Sequence, residues 1–143
     1  MPRFARGTTL VEIAITLVVL GVIAAISALR IAPLMERFAV RGASQDVVFA
    51  LAAARAAATR RGIYVTFIAD PRAGRVRVVG AGETIYERDV AVVRGVRLEA
   101  SRESVTFAPT GLGWGAANTT IVLTRGGRAD TITTSRLGRV RRF

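Results

Sequence analysis

The sequence predicts an α+β fold: a long N-terminal helix, its first half transmembrane, packed on a C-terminal antiparallel β-sheet domain. Three observations carry this expectation. An apolar run opens at Thr8 and holds no charge between Ile13 and Leu29. Apolar residues then recur at helical spacing as far as Ala58. After Gly62 the apolar period becomes two, and short runs are separated by turns bearing Pro or Gly. Strands that follow one long helix settle as antiparallel sheet against it.

The N-terminal run is the most informative stretch. A basic leader, MPRFARG, precedes it with Arg3 and Arg6. At about 1.5 Å of rise per residue, Thr8 to Leu29 crosses the roughly 30 Å hydrocarbon core of a bilayer. Thr16 and Ser27 are its only hydroxyls after Ile13. Glu12 is the anomaly, because a carboxylate inside a membrane segment costs several kcal/mol and marks a candidate functional site. A cleaved secretory signal has a basic start, but a shorter apolar core that ends at small residues, a place Ser27 or Ala28 mimics. An ordinary membrane anchor accounts for the length and leaves Glu12 without a reason. A processed leader is the third reading.

That third reading rests on Gly7-Thr8-Thr9-Leu10-Val11-Glu12, which resembles the type IV prepilin motif. The resemblance implies that a prepilin peptidase cuts after Gly7 on the cytoplasmic face and that the new N-terminus, Thr8, is methylated. It implies further that Glu12, five positions into the mature chain, guides assembly by accepting the free amine of a neighbouring subunit's Thr8. Pairing lowers the cost of the buried charge. The family usually has Phe where this chain has Thr8, and major pilins commonly have Pro at the place of Leu29; here Pro33 comes four residues later. Gly21 stands where the family also has Gly. The basic leader stays cytoplasmic by the positive-inside rule. The chain then divides into a cleaved leader (1–7), a transmembrane or filament-core helix (8–32), the second half of the long helix (33–62) and a β-rich globular domain (63–143). The globular domain is placed in the periplasm, on a single-pass protein of the inner membrane that later joins a pilus or pseudopilus.

Pro33 removes a helical donor and crowds the preceding turn, so a kink is expected near it. Leu34 and Phe38 continue the helical pattern, and Ser44 reads as an N-cap after a break at Gly42. The Ala-rich stretch from Ser44 to Arg60 has high helix propensity and offers Val47, Val48 and Leu51 to a core. Arg60 and Arg61 suit the helix C-terminus, and Gly62 stops it.

Strands are expected over Ile63–Ala69, Arg75–Val79, Glu83–Glu87, Gly95–Ala100, Ser104–Phe107, Asn118–Thr124 and Ala129–Ser135. Asp70-Pro71-Arg72-Ala73-Gly74 and Arg125-Gly126-Gly127-Arg128 supply hairpin turns. In Gly95–Ala100, Val96 and Leu98 share one face, and Arg97 and Glu99 the other. Gly111-Leu112-Gly113-Trp114-Gly115 lacks the Lys-Ser/Thr of a phosphate-binding loop and reads as a mobile loop. Trp114 there either caps the sheet core or contacts a partner.

The segment Val105-Thr106-Phe107-Ala108-Pro109-Thr110-Gly111 resembles the aromatic-small-Pro-x-Gly turn of the GspH/FimT family of pseudopilins and minor pilins. A strand hairpin and a terminal Gly-Arg follow in that family, as Asn118–Ser135 and Gly138-Arg139 do here. The resemblance covers nearly the whole chain. It implies a pilin-like fold and a structural subunit of a type IV pilus or type II secretion pseudopilus, with other pilins as partners.

Composition excludes much chemistry. The 143 residues contain no Cys and no His, which removes disulfides, thiol catalysis, imidazole bases and the usual zinc ligands. No catalytic residue, metal site or cofactor is expected, and carboxylates such as Glu87, Asp89, Glu99 and Glu103 sit among arginines as solvated ion pairs. The 21 basic residues are all Arg and outnumber the 10 acidic ones, for a net charge of +11. A GC-rich genome explains Arg in place of Lys but not the excess of positive charge. Such a surface draws polyanions.

The charge is sharpest at the end. Arg125, Arg128, Arg136, Arg139, Arg141 and Arg142 face a single acid, Asp130. On an extended segment Arg139 and Arg141 point the same way, about 7 Å apart, which matches successive phosphates along one strand. Guanidinium binds phosphate bidentately. The Gly-Arg-x-Arg ending also resembles the tail of FimT-type minor pilins that bind DNA during natural transformation, which makes double-stranded DNA a candidate partner. The alternative is a purely structural type II secretion pseudopilin whose basic end closes the last strand.

Overall fold

The computed structural model describes residues 9–143, and of 28–30 the backbone only. Gly7 and Thr8, the expected cleavage and methylation positions, lie outside the described residues. The chain divides into a unit ending at Met35 and a unit of Glu36–Phe143.

The first unit is helical from Leu10 and belongs to α1 (Leu10–Arg61). It is long and apolar enough to cross a membrane. Its large side chains, Leu10, Val11, Ile13, Leu17, Val18 and Ile26 among them, are half exposed or more. Thr9 caps the helix: its Oγ1 accepts the Glu12 backbone N–H at 3.3 Å. Thr9-Leu10-Val11-Glu12 has the spacing of a capping box, in which Glu at the third helical position also favours the positive end of the dipole. Glu12 therefore has a local reason to stand where it does.

In the second unit α1 runs on to Arg61. The expected break at Gly42 with an N-cap at Ser44 is a misreading: both residues are inside the helix. Ser44 is fully buried, and its hydroxyl donates to Asp130 Oδ2 at 2.5 Å, so it serves a tertiary contact rather than a cap. Gly42 has a tertiary reason as well. A Cβ there would strike the guanidinium of Arg94, which donates to Asp46 at 2.8 Å. The buried face of the helix runs Val40, Ala43, Val47, Ala50, Leu51, Ala54, Ala57 and Ala58, an i, i+3, i+4 pattern of small and medium residues. The helix ends on Gly62 in the left-handed region (φ 65°), and Ile63 N–H donates back to Ala58 C=O at 3.3 Å. This is a Schellman arrangement, and it explains why the next strand starts two residues later than expected.

Nine strands make two antiparallel sheets. Sheet A holds β1 (Val65–Asp70), β2 (Arg75–Gly80), β3 (Glu83–Asp89), β5 (Ser104–Phe107) and β6 (Gly113–Trp114), in the order β3-β2-β1-β5-β6. Sheet B holds β4 (Arg97–Ala100), β7 (Thr119–Arg125), β8 (Arg128–Thr134) and β9 (Val140–Arg142), in the order β4-β7-β8-β9. Inward side chains of both sheets, among them Phe67, Val78, Phe107, Ile121, Leu123 and Ile132, form one core with the helix face. Val96 and Leu98 are buried while Arg97 and Glu99 are exposed, as the alternation predicts.

Two elements differ from expectation. The stretch Val90–Arg94, to which the sequence assigns no element, is a short helix, α2. Gly74 C=O accepts the N–H groups of Val90 and Ala91 at 3.0 and 2.8 Å and sets the helix off. The glycine-rich loop is not wholly irregular: Gly113 and Trp114 pair with Phe107 and Thr106.

Candidate functional site

The arginine-rich tail folds as the edge of sheet B. β8 and β9 register as Ile132 with Arg142, Thr133 with Arg141, and Thr134 with Val140. Before β9 the chain turns at Gly138, whose φ of 71° and close approach to the Gly111 carbonyl leave no room for a side chain. Ser135 N–H donates to Arg139 C=O at 2.9 Å, which continues the pairing to Arg139. Because side chains alternate along an extended chain, Arg139 and Arg141 share the outer face of the sheet and Arg142 takes the inner one.

On the outer face Arg139 and Arg141 border an open groove of about 690 Å³, together with Asn118, Thr120, Thr133 and Ser135. No acidic residue lines it. Neither arginine is in an ion pair among the described residues, in contrast to Arg75, Arg88, Arg94 and Arg142. Two guanidiniums without an ion pair, with hydroxyl and amide groups beside them, offer donors of the kind that an anion accepts.

The other four arginines divide. Arg142 is turned to the helix side, where its Nε lies 2.7 Å from Asp130 Oδ2. Arg136 flanks the groove: its backbone N–H donates to Asn118 Oδ1 at 2.7 Å, and its side chain is exposed. Arg125 and Arg128 face each other across the β7–β8 turn. Arg128 is five residues from Thr133, about 17 Å along the strand. The Arg125 guanidinium donates to the Arg94 carbonyl at the end of α2. So the structure brings Arg139 and Arg141 together, keeps Arg136 beside them, and leaves Arg142, Arg125 and Arg128 elsewhere.

Thr120 and Thr133 also line the groove, and the sequence alone does not mark them. The alternation of NTTIVLT and ADTITTS puts them on an outward face, but only the pairing of Thr120 with Thr133, and of Thr133 with Arg141, sets them beside the arginines. Trp114 is not a core cap. It is 61% exposed and meets Tyr64 edge to face, with ring centroids 5.2 Å apart. Among the described residues no cluster of three or more His, Cys, Asp or Glu could hold a metal ion.

Comparison with known proteins gives this arrangement a family. The description "Type II transport protein GspH" matches residues 43–138. No curated protein matches the sequence. Among solved structures the fold is similar to the type IV minor pilin FimU of Pseudomonas aeruginosa strain PAO1, in two crystal forms. In one the TM-score is 0.62 at 17% identity, covering 76% of this chain and 91% of FimU. In the other it is 0.59 at 15% identity, covering 72% and 91%. The likeness is one of fold, a helix followed by antiparallel sheet, and the family match takes in more than half of the sequence. The chain belongs to the GspH family of type IV pilin-like proteins.

Proposed function

We propose that this minor pilin or pseudopilin is cut after Gly7 by a prepilin peptidase, methylated at Thr8, and held in the inner membrane by residues 8–32 until it joins sister pilins. Glu12 guides that step. The globular domain faces the periplasm and holds double-stranded DNA for uptake through Arg139 and Arg141, with Arg136 at the margin. The observation that carries the DNA reading is the groove on sheet B, where two arginines free of any carboxylate partner stand side by side. Arg142, Arg125 and Arg128 contribute only to the long-range field, since their guanidiniums are turned or placed away from that groove.

Co-expression with a prepilin peptidase tests the processing. The mature mass should fall by the leader, and Gly7→Ala should abolish the change; an uncleaved parent overturns the assignment. DNA capture is tested by gel shift of the full chain in non-ionic detergent against Arg139→Ala/Arg141→Ala. The parent should bind at low salt and the double variant should not. The family description favours a second reading, a pseudopilin of protein secretion with no DNA site. A parent that fails to bind at low salt leaves that reading alone.

A further inference from the structure

We infer that the DNA site does not stop at the two arginines, and that Thr133 and Thr120 extend it across sheet B as a track of neutral donors beside the phosphates that the arginines hold. This rests on the DNA reading proposed above. Ser101, Thr120, Thr133 and Arg141 lie in one row across the four strands' outer face. Ser101 N–H donates to Thr120 C=O at 2.9 Å, Thr120 pairs with Thr133, and Thr133 pairs with Arg141. With strands about 4.8 Å apart, Thr133 stands about 5 Å and Thr120 about 10 Å from Arg141 in the hydrogen-bonding direction. The row runs at right angles to the Arg139–Arg141 line, so the threonines meet sugar and phosphate oxygens to the side of the phosphate seated on Arg141.

The hydroxyls differ in what is left to offer. Ser101 Oγ accepts the Thr120 backbone N–H at 2.9 Å and lies 3.3 Å from Thr119 Oγ1, so it is spent within the fold. The side chains of Thr120 and Thr133 have no intramolecular hydrogen bond among the described residues, and both are half-buried in the groove. A threonine so placed gives a phosphate oxygen one O–H and gives a deoxyribose one methyl. A groove of guanidinium and hydroxyl donors with no carboxylate suits a phosphodiester and carries nothing to read base edges. Recognition here is of the backbone and is independent of sequence.

Charged and neutral contacts separate in a salt titration. Neutralising two phosphates gives log Kobs against log salt a slope of about −1.8, and removing one arginine lowers it by about 0.9. A lost hydroxyl contact weakens binding without changing the slope. The test is fluorescence anisotropy of the full chain in non-ionic detergent with a labelled random-sequence duplex, across a salt series. Thr120→Val/Thr133→Val should bind about tenfold more weakly than the parent, with the parent's salt slope. Thr120→Ser/Thr133→Ser should restore binding. A valine variant that binds like the parent overturns the threonine track while leaving the arginine site standing. A valine variant that also flattens the slope overturns it too, since the arginines themselves would then have moved. A parent that does not bind duplex at low salt removes the DNA reading and the track with it.

Discussion

Asp130 Oδ2 stands 2.7 Å from Arg142 Nε, and that contact ties the last strand of the chain to its neighbour β8. The same oxygen accepts the Ser44 hydroxyl from α1 at 2.5 Å. Asp130 is 8% exposed. One buried carboxylate thus joins helix, sheet and tail. Removing it leaves a buried hydroxyl and a partly buried guanidinium without their acceptor. Asp130→Ala should cost about 2–4 kcal/mol, read by urea denaturation of residues 36–143, the unit in which all the buried core residues lie. Ser44→Ala should cost about 1 kcal/mol, because Asp130 keeps Arg142.

Among the described residues the buried hydroxyl of Thr134 has no hydrogen-bond partner. A valine of the same shape removes the unmet polar group and keeps the packing. Thr134→Val should stabilise the same unit by about 1 kcal/mol. A loss of stability of that size in the urea midpoint would mean that the hydroxyl has a partner in solution.

Gly138 holds the turn that sets Arg139 in the groove. At φ 71° a side chain is strained, and a Cβ would lie 3.0 Å from the Gly111 carbonyl oxygen. Gly138→Ala should therefore lower stability by about 1–2 kcal/mol. It should also weaken duplex binding through the displaced Arg139. Undiminished stability in a thermal melt would show that the turn can open elsewhere.

Gly42 and Arg94 should be coupled. Alanine is the better helix former by about 1 kcal/mol, yet Gly42→Ala drives its methyl into the Arg94 guanidinium and disturbs the pair with Asp46. The single variant should gain nothing or lose stability. In an Arg94→Ala background the same change should stabilise by about 1 kcal/mol. A double-mutant cycle in urea reads the difference, and additive effects would contradict the contact.

Much of this fold is legible along the chain because its signals are local. Ser104–Phe107 alternates and is a strand at those bounds. Asp70 announces its turn, and its Oδ1 indeed accepts the N–H groups of Arg72 and Ala73 at 3.0 and 2.9 Å. What stays hidden depends on partners distant in sequence. The division into two sheets follows from β1 pairing with β5 and β4 with β7, and no spacing in the chain dictates either choice. Ser44 looks like a cap until Asp130, 86 positions away, is placed beside it. Val90–Arg94 is assigned no element along the chain, and the Gly74 carbonyl meeting its first amides sets a helix there. The candidate site divides the same way. Alternation alone pairs Arg139 with Arg141, whereas the threonines beside them emerge only from the register of β7 on β8.

One open side of each sheet carries a further consequence. β6 has two residues, and β9 has three, two of them arginine. Each is too short, and β9 too charged, to template pairing with a stray strand from another chain. Wherever strand-bearing chains meet at high concentration, unguarded rims invite amyloid-like stacking. The short margins at β6 and β9 discourage that route on those two sides, while β3 and β4 close the opposite ones.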